Sequence, residues 1–429
     1  MTDTTDTMSR RKLMGATGLA LAGTALSGPA LAAGTIPPSA LDVGRVEGGR
    51  VVFPNWRGEA DKPSPPPPAP LPPDQRIGFA IVGLGRLSLE EILPAFGESR
   101  RAKPVALVSG SPDKARTVAG QYGIRPDAVY DYASFDRIAQ NPAIQAVYVV
   151  LPNSMHHEFT IRAAKAGKHV LCEKPMAMSS AEAREMTEAC RAANVKLMIA
   201  YRIQYEPYNR EAMRLIRSGE LGPVKFIDAI NTQSQGDPNQ WRHKLAMAGG
   251  GALPDIGLYC LNTTRAYLGE EPVEVFARQW STPNDPRFHE VEENVAFMLR
   301  FPSGIVANCF TGYDAHDGKP IRVHLEKAWI DIENAFSYRG QQMRIGHRAG
   351  RKAAVDQIEV GAKNQFALEL DHFAQCIAEN RIPHTPGEEG VQDHVVMEAI
   401  YESALTGAPV TLAEIQGRDT TRGPAPTEG

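Results

Sequence analysis

From Arg76 onward, short runs that are apolar on both faces alternate with amphipathic segments, and this alternation constrains the fold more than any other feature. "IGFAIVGLG", "KPVALVSG", "IQAVYVVLP", "HVLCEKP" and "KLMIAYR" read as buried strands. Between them, "LEEILPAFGES", "SPDKARTVAGQYG", "HEFTIRAAKAGK" and "SAEAREMTEACRAANV" carry helical spacing. A strand with no polar face must be covered above and below, and the intervening helices are the segments available to cover it. Residues 76–200 are therefore predicted to form a doubly wound parallel sheet.

The second half has a different texture. "PVKFIDAINTQS", "PVEVFARQWS", "VAFMLRFPSGIVANCFTGY" and "IRVHLEKAWIDIEN" are longer and alternate in polarity, with turn residues such as Pro302-Ser303-Gly304 between them. That pattern predicts an α+β domain over 201–415 with a large, mainly antiparallel open sheet. Two helical segments, "NQFALELDHFAQCIAEN" and "GVQDHVVMEAIYESALTG", follow, and residues 416–429 read as a flexible tail. The cleft between two such domains is the natural place for a site.

Ahead of the first strand lie two segments of other kinds. Residues 1–33 begin with a twin arginine, Arg10-Arg11, continue through small and apolar residues, and reach Ala30-Leu31-Ala32. This is the pattern of a twin-arginine signal peptide, which predicts export of an already folded protein to the periplasm. Residues 34–75 contain "KPSPPPPAPLPP", an extended polyproline arm that serves as a spacer or lies across a neighbouring subunit. The formal net charge of −4 gives no support for nucleic-acid binding. No later run approaches the ~20 apolar residues that span a bilayer, so no membrane association is expected once the signal is removed. Cys172, Cys190, Cys260, Cys309 and Cys376 are odd in number and scattered, which excludes a full disulfide framework.

Gly83-Leu84-Gly85-Arg86-Leu87-Ser88 joins the first strand to the first helix. Gly83 permits the tight turn, Gly85 lets the backbone approach a pyrophosphate, and the helix N-terminus favours its charge. Ser88 stands where the fingerprint has a third Gly or Ala. The second strand ends at Ser109 instead of the acidic residue that binds ribose hydroxyls, and Ser111, Lys114 and Arg116 follow. Hydroxyl and ammonium donors suit a 2′-phosphate, so the expected cofactor is NADP. Asp113, at a helix start, is equally explained as a capping residue.

Glu173, Lys174 and Pro175 stand at the carboxyl end of a strand, where open α/β sheets bind ligands. Lys174 could hydrogen-bond a substrate hydroxyl, and Pro175 suits a special turn, including a cis bond. Asp255 and Tyr259, after Gly249-Gly250-Gly251, are four apart and share a helix face. A phenol close to an ammonium is a candidate acid and base, and a helix cap with a half-buried tyrosine is the plainer alternative. His156-His157-Glu158 cannot chelate a metal together on a helix, because successive side chains diverge by ~100°, and no metal is assigned. Glu388-Glu389 reads as a helix N-terminus.

Taken together, "AIVGLG", "ALVSG", "LPNS", "AGKHVLCEKPMA", "QWR", "AGGGALPDIGLY", "GEEPVEV" and "PGEEGVQD" resemble the glucose–fructose oxidoreductase branch of the Gfo/Idh/MocA oxidoreductases. The resemblance covers about Arg76 to Pro409 and implies an N-terminal Rossmann domain. It implies that Lys174, Tyr259 and Asp255 are catalytic. It further implies that Gly83, Leu84, Gly85, Arg86, Leu87, Ser109, Lys114, Asn153, His156, Glu173, Lys174 and Arg202 meet the cofactor. Tyr201, Tyr205, Trp241, Arg242, Asp255 and Tyr259 would meet the sugar. Gln204 departs from the branch, which has histidine there, and the segment before "QWR" is shortened. Both departures lie near the sugar site that the resemblance implies and bear on fructose as acceptor.

The expected activity is an NADP-dependent sugar oxidoreductase that recycles a tightly bound cofactor. An aldose such as glucose would leave as its lactone, and a second sugar such as fructose would leave as an alditol (sorbitol). The alternatives are an aldose–aldose oxidoreductase, a simple NADP-dependent aldose dehydrogenase, and, from another class, a non-catalytic nucleotide or sugar sensor. The resemblance implies a homodimer or homotetramer.

Overall fold

In the computed structural model the described residues are 45–52, 69–361 and 363–426. Residues 1–33, read above as a signal peptide, and much of the proline-rich segment lie outside them. Two units are distinct, split between Pro67 and Pro68. In the first, β1 (Arg45–Glu47) and β2 (Arg50–Val52) pair antiparallel across Gly48-Gly49.

The second unit starts with the predicted alternation. β3 (Ile77–Val82), α1 (Leu93–Glu98), β4 (Ala102–Val108), α2 (Pro112–Tyr122), β5 (Val129–Tyr130), β6 (Ala146–Val149), α3 (His156–Lys165), β7 (His169–Glu173), α4 (Ser180–Ala192) and β8 (Leu197–Ala200) follow in order. The six strands form one parallel sheet in the order β5-β4-β3-β6-β7-β8. The order reverses beside β3, so β3 and β6 flank the topological switch point where ligands bind. Every residue of β3, β6 and β8 is buried, as their unbroken apolar runs require.

The chain continues through α5 (Pro207–Ser218), β9 (Val224–Gln233), α6 (Leu258–Leu268), β10 (Glu274–Trp280), β11 (Asn294–Arg300), β12 (Val306–Tyr313), β13 (Ile321–Leu325), β14 (Ala328–Glu333), β15 (Gln342–Ala349) and β16 (Lys352–Ile358). It ends with α7 (Gln365–Ala378), α8 (Gly387–Thr406) and β17 (Val410–Thr411). Nine of these strands make the expected open sheet, in the order β16-β15-β14-β13-β9-β12-β11-β10-β17. All pairs are antiparallel except β9 with β12. The strands β15 and β16 were not anticipated; β16 has no buried residue, so it carries no apolar alternation to read, while β15 buries only Met343, Ile345 and Gly346.

Two findings depart from the linear reading. After residue 364 the chain returns to the first sheet. Asp371 of α7 accepts hydrogen bonds from Ser99 Oγ (2.6 Å) and from the Arg100 and Arg101 amides (3.0 and 2.7 Å). Phe373 packs 6.2 Å from Phe79 of β3. The tail also differs from expectation: residues 416–426 are not a loose end. Arg422 is driven inside by charge, with its side chain fully buried and its Nε donating to Glu389 Oε1 at 2.9 Å. Asp419 receives the Arg217 fork at 2.8 Å on each oxygen.

Among the described residues, no helix is long and apolar enough to cross a membrane, and all five cysteines are buried free thiols.

Candidate active site

The carboxyl ends of the parallel strands open into a cavity of about 1210 Å³ shared with one end of the large sheet. Its dinucleotide wall begins at the glycine turn. Gly83 has φ +96°, and a Cβ there would lie 2.2 Å from the Val150 carbonyl oxygen, so only glycine fits. A Cβ on Gly85 would meet nothing and would occupy the cavity itself. That vacant volume beside a helix start is the space a pyrophosphate needs, and the residues present fit the cofactor. Ser88, the departure from the fingerprint, closes the turn by donating from Oγ to the Gly83 oxygen at 2.6 Å. Leu84, Arg86, Leu87, Ser109, Ser111 and Lys114 line the same wall. Asp113 is absent from it and pairs with Arg116.

Asn153, Glu173, Lys174, Arg202, Trp241, Arg242, Asp255 and Tyr259 line the remainder, drawn from both halves of the chain. β7 delivers Glu173 and Lys174 at its carboxyl end, and the Lys174–Pro175 bond is cis. Lys174 Nζ donates to the Asp255 main-chain oxygen and lies 3.5 Å from Asp255 Oδ1. It also sits 4.6 Å from the centre of the Tyr259 ring. Asp255 Oδ2 accepts from Arg242 Nε at 3.1 Å and from the Tyr313 hydroxyl at 2.8 Å. Burial opposes the Asp255 charge, but Arg242, Lys174 and the Tyr313 hydrogen bond outweigh it and hold its pKa down to about 2. Burial pushes the Glu173 carboxyl up, against the hydrogen bond from Tyr148 Oη at 2.7 Å and the nearby Lys174 and Arg202.

Tyr259 is reached from its other side by Arg202. Arg202 Nε donates to Tyr259 Oη at 3.2 Å, and its guanidinium lies 4.6 Å from the ring centre. Three of its four remaining N–H groups donate to Phe336 O (2.7 Å), Ser337 O (3.2 Å) and Gln365 Oε1 (2.6 Å). Asp255 and Tyr259 both face the cavity, across the wide turn Leu253–Gly257 that leads into α6.

Three expected contacts with ligand are corrected. His156 is wholly buried and does not line the cavity; its ring nitrogens lie 2.8 Å from Pro175 O and 2.9 Å from Leu151 O. It ties two cavity-lining segments together instead of touching a ligand. Tyr201 and Tyr205 also lie outside the lining. Arg202 reaches the cavity, while Tyr201 and Tyr205, which flank the tight turn Arg202–Gln204, are buried in the core. Tyr205 Oη meets Thr385 Oγ1 at 3.0 Å. The phenol of Tyr201 is pushed well up by burial and by Asp393 and Glu389. Gln204 likewise turns away from the sugar side: its Nε2 donates to Glu389 Oε1 (2.7 Å) and Asn262 Oδ1 (2.8 Å). The histidine-to-glutamine departure therefore alters a sealed polar cluster and says nothing direct about the acceptor.

Tyr313 was missed. Its only signal was a tyrosine at the carboxyl end of the strand "VANCFTGY". Tyr313 is buried behind Asp255, whereas Tyr338, Gln235 and Lys319 line the cavity itself without a sequence signature.

A glycine turn at the switch point of a parallel sheet, with an ammonium, a carboxylate and a phenol in the same cavity, defines a nicotinamide-dependent oxidoreductase. Residues 77–201 match the oxidoreductase family with an NAD-binding Rossmann fold, and residues 209–331 match the GFO/IDH/MocA C-terminal domain. The chain belongs to the Gfo/Idh/MocA oxidoreductase family, as its motifs implied. It is 32% identical over 345 residues to D-xylose 1-dehydrogenase [NADP(+)] of Haloarcula marismortui, covering 79% of this chain and 94% of that one. It is 29% identical to 1,5-anhydro-D-fructose reductase of Ensifer adhaerens, covering 77% and 96%. Among solved structures it resembles aldose-aldose oxidoreductase from Caulobacter crescentus, complexed with glycerol. That chain is 46% identical, with a TM-score of 0.76 and coverage of 79% of this chain and 100% of that one. The expected cofactor, NADP, agrees with the NADP-dependent relative, and Ser109 and Lys114, its 2′-phosphate candidates, line the cavity.

Proposed function

We propose that this protein oxidises an aldose at C1 with NADP and passes the electrons to a second sugar without releasing the cofactor. The observation that carries this reading is the grouping of Lys174, Asp255 and Tyr259 in one cavity with the glycine turn. Lys174 has three donors, and Asp255 occupies two of them. The third is left for a substrate hydroxyl. Arg202 holds one lone pair of Tyr259 Oη, so the phenol oxygen keeps a fixed direction for proton exchange. In the first half-reaction Tyr259 takes the C1 hydroxyl proton and the lactone leaves. In the second it returns a proton to the oxygen of the incoming carbonyl. When bound, NADP supplies the two-electron hydride chemistry between these halves. Arg242, Trp241 and Asp255 orient the sugar.

The 46% identity to aldose-aldose oxidoreductase favours a second aldose as the acceptor. Fructose, reduced to sorbitol, is the second reading, and it rests on the motif resemblance. The twin-arginine segment explains why the cofactor would be kept: a protein folded around NADP in the cytoplasm and exported to the periplasm must regenerate it in place.

The test is to purify the chain with no cofactor added and follow its own nicotinamide absorbance. Xylose or glucose should raise the reduced signal, and a second aldose should lower it. Reversal by fructose alone would select the second reading. A preparation that contains no nicotinamide would overturn cofactor retention.

A further inference from the structure

The loop of residues 334–341, between β14 and β15, is tied down on two sides. On the inner side, Phe336 O and Ser337 O accept from the buried Arg202 guanidinium (2.7 and 3.2 Å). Tyr338 O accepts from Gln365 Nε2 at 2.7 Å, and the Tyr338 ring covers Arg202 at 4.6 Å. On the outer side, Arg339 reaches across to the first domain. Its Nη1 and Nη2 donate to Glu91 Oε1 and Oε2 at 3.1 and 2.7 Å, a two-pronged fork. Glu91 lies six residues beyond Gly85 and lines the dinucleotide cavity, as do Ser337 and Tyr338.

We infer that the Arg339–Glu91 pair is a clasp that holds the 334–341 loop over the dinucleotide wall and slows the departure of NADP. This rests on the reading that the cofactor is retained. The pair joins residues 248 apart in sequence and bridges two segments that line the same cavity, so a path out between those segments requires it to open. The Glu91 side chain is 12% exposed and that of Arg339 71% exposed. The carboxylate is therefore fixed, and the arginine is the arm that can swing. The inner ties pull on Arg202, which holds Tyr259, so loosening the loop would also loosen the catalytic phenol.

The experiment uses the full chain loaded with NADPH. Release is followed by the loss of protein-bound nicotinamide fluorescence while glutathione reductase and glutathione disulfide consume whatever escapes. Arg339→Gln and Glu91→Gln should each release NADPH about fivefold faster, the upper range for an exposed ion pair. Raising the salt should speed release from the parent protein more steeply than from the variants, which have already lost the pair. The reciprocal double variant E91R/R339E should restore slow release. Equal rates for the parent and Arg339→Gln would overturn the clasp. A parent protein that itself exchanges NADPH rapidly would overturn retention, while the ratio between variant and parent would still report on the clasp.

Discussion

This molecule holds two clusters of buried charge, and only one of them opens on the cavity. The first joins Lys174, Asp255, Arg242 and Tyr313 and opens on the cavity. The second joins Arg265, Glu271, Glu389, Asp393 and Arg422, all essentially without exposure, and none of them lines the cavity. Both are assembled from segments far apart in sequence. Their charge balance differs. In the first, two cations share one carboxylate, and Asp255 is held down to about 2. In the second, three carboxyls share two guanidiniums. Burial, then the neighbouring Glu389, outweighs Arg265 and pushes Asp393 up to about 6. Burial of charge is therefore no signature of function here; access to the cavity is.

The largest expected effect breaks the first cluster without unfolding the protein. Lys174→Met should lower kcat by about 10³-fold, within the range for lost proton-transfer assistance. Thermal melting should change little, and a variant that keeps its turnover would place the chemistry elsewhere. Tyr259→Phe should behave similarly.

Next in size, Arg265→Met should cost about 3–5 kcal/mol in urea unfolding, because it strands Asp393 and Glu271. Turnover per folded molecule should stay within about twofold. A loss of turnover with stability intact would erase the distinction between the clusters.

The pH dependence sharpens the contrast, since the two aspartates act with opposite sign. Asp255, lowered from 3.8 to about 2, adds stability above pH ~4 that disappears as the pH falls towards ~2. Asp393, raised from 3.8 to about 6, keeps a proton that the unfolded chain has already lost. Its contribution is present below pH ~4 and is lost as the pH rises through ~6. Each window is worth about 2–3 kcal/mol. Urea midpoints of Asp393→Asn against pH should lack the decline between pH ~4 and ~6.

The smallest effect belongs to a charge in neither cluster. Lys114 is exposed on the dinucleotide wall. Lys114→Ala should weaken NADP about tenfold in equilibrium binding and leave NAD unchanged, as expected for one charge-assisted phosphate contact. Equal losses for both dinucleotides would move the 2′-phosphate to another residue.

Much of this architecture was legible in advance. The apolar runs named the parallel sheet, and Gly83 and Gly85 marked its ligand-binding turn. Lys174, Asp255 and Tyr259 fell where strand ends and a helix start put them. Tyr201, Tyr205 and His156 belong to segments that the family resemblance puts beside the ligand, but their own side chains lie outside the cavity lining. Within the short turn Arg202–Gln204, Arg202 lines the cavity while Gln204 is sealed in the core. The tail at Arg422 had no local pattern at all; its place is set by carboxyls more than 30 residues away in the chain.

By itself, the sequence determined the class of each half, the glycine turn and the set of reactive groups. These depend on backbone periodicity and turn chemistry, which act over a few residues. Only the tertiary structure decided which groups meet. It brought Tyr313 to Asp255, Arg202 to Tyr259 and Arg339 to Glu91, and it turned Gln204 and Arg422 into a sealed cluster. Such pairings depend on how distant surfaces pack and on the cost of leaving a buried charge without a partner.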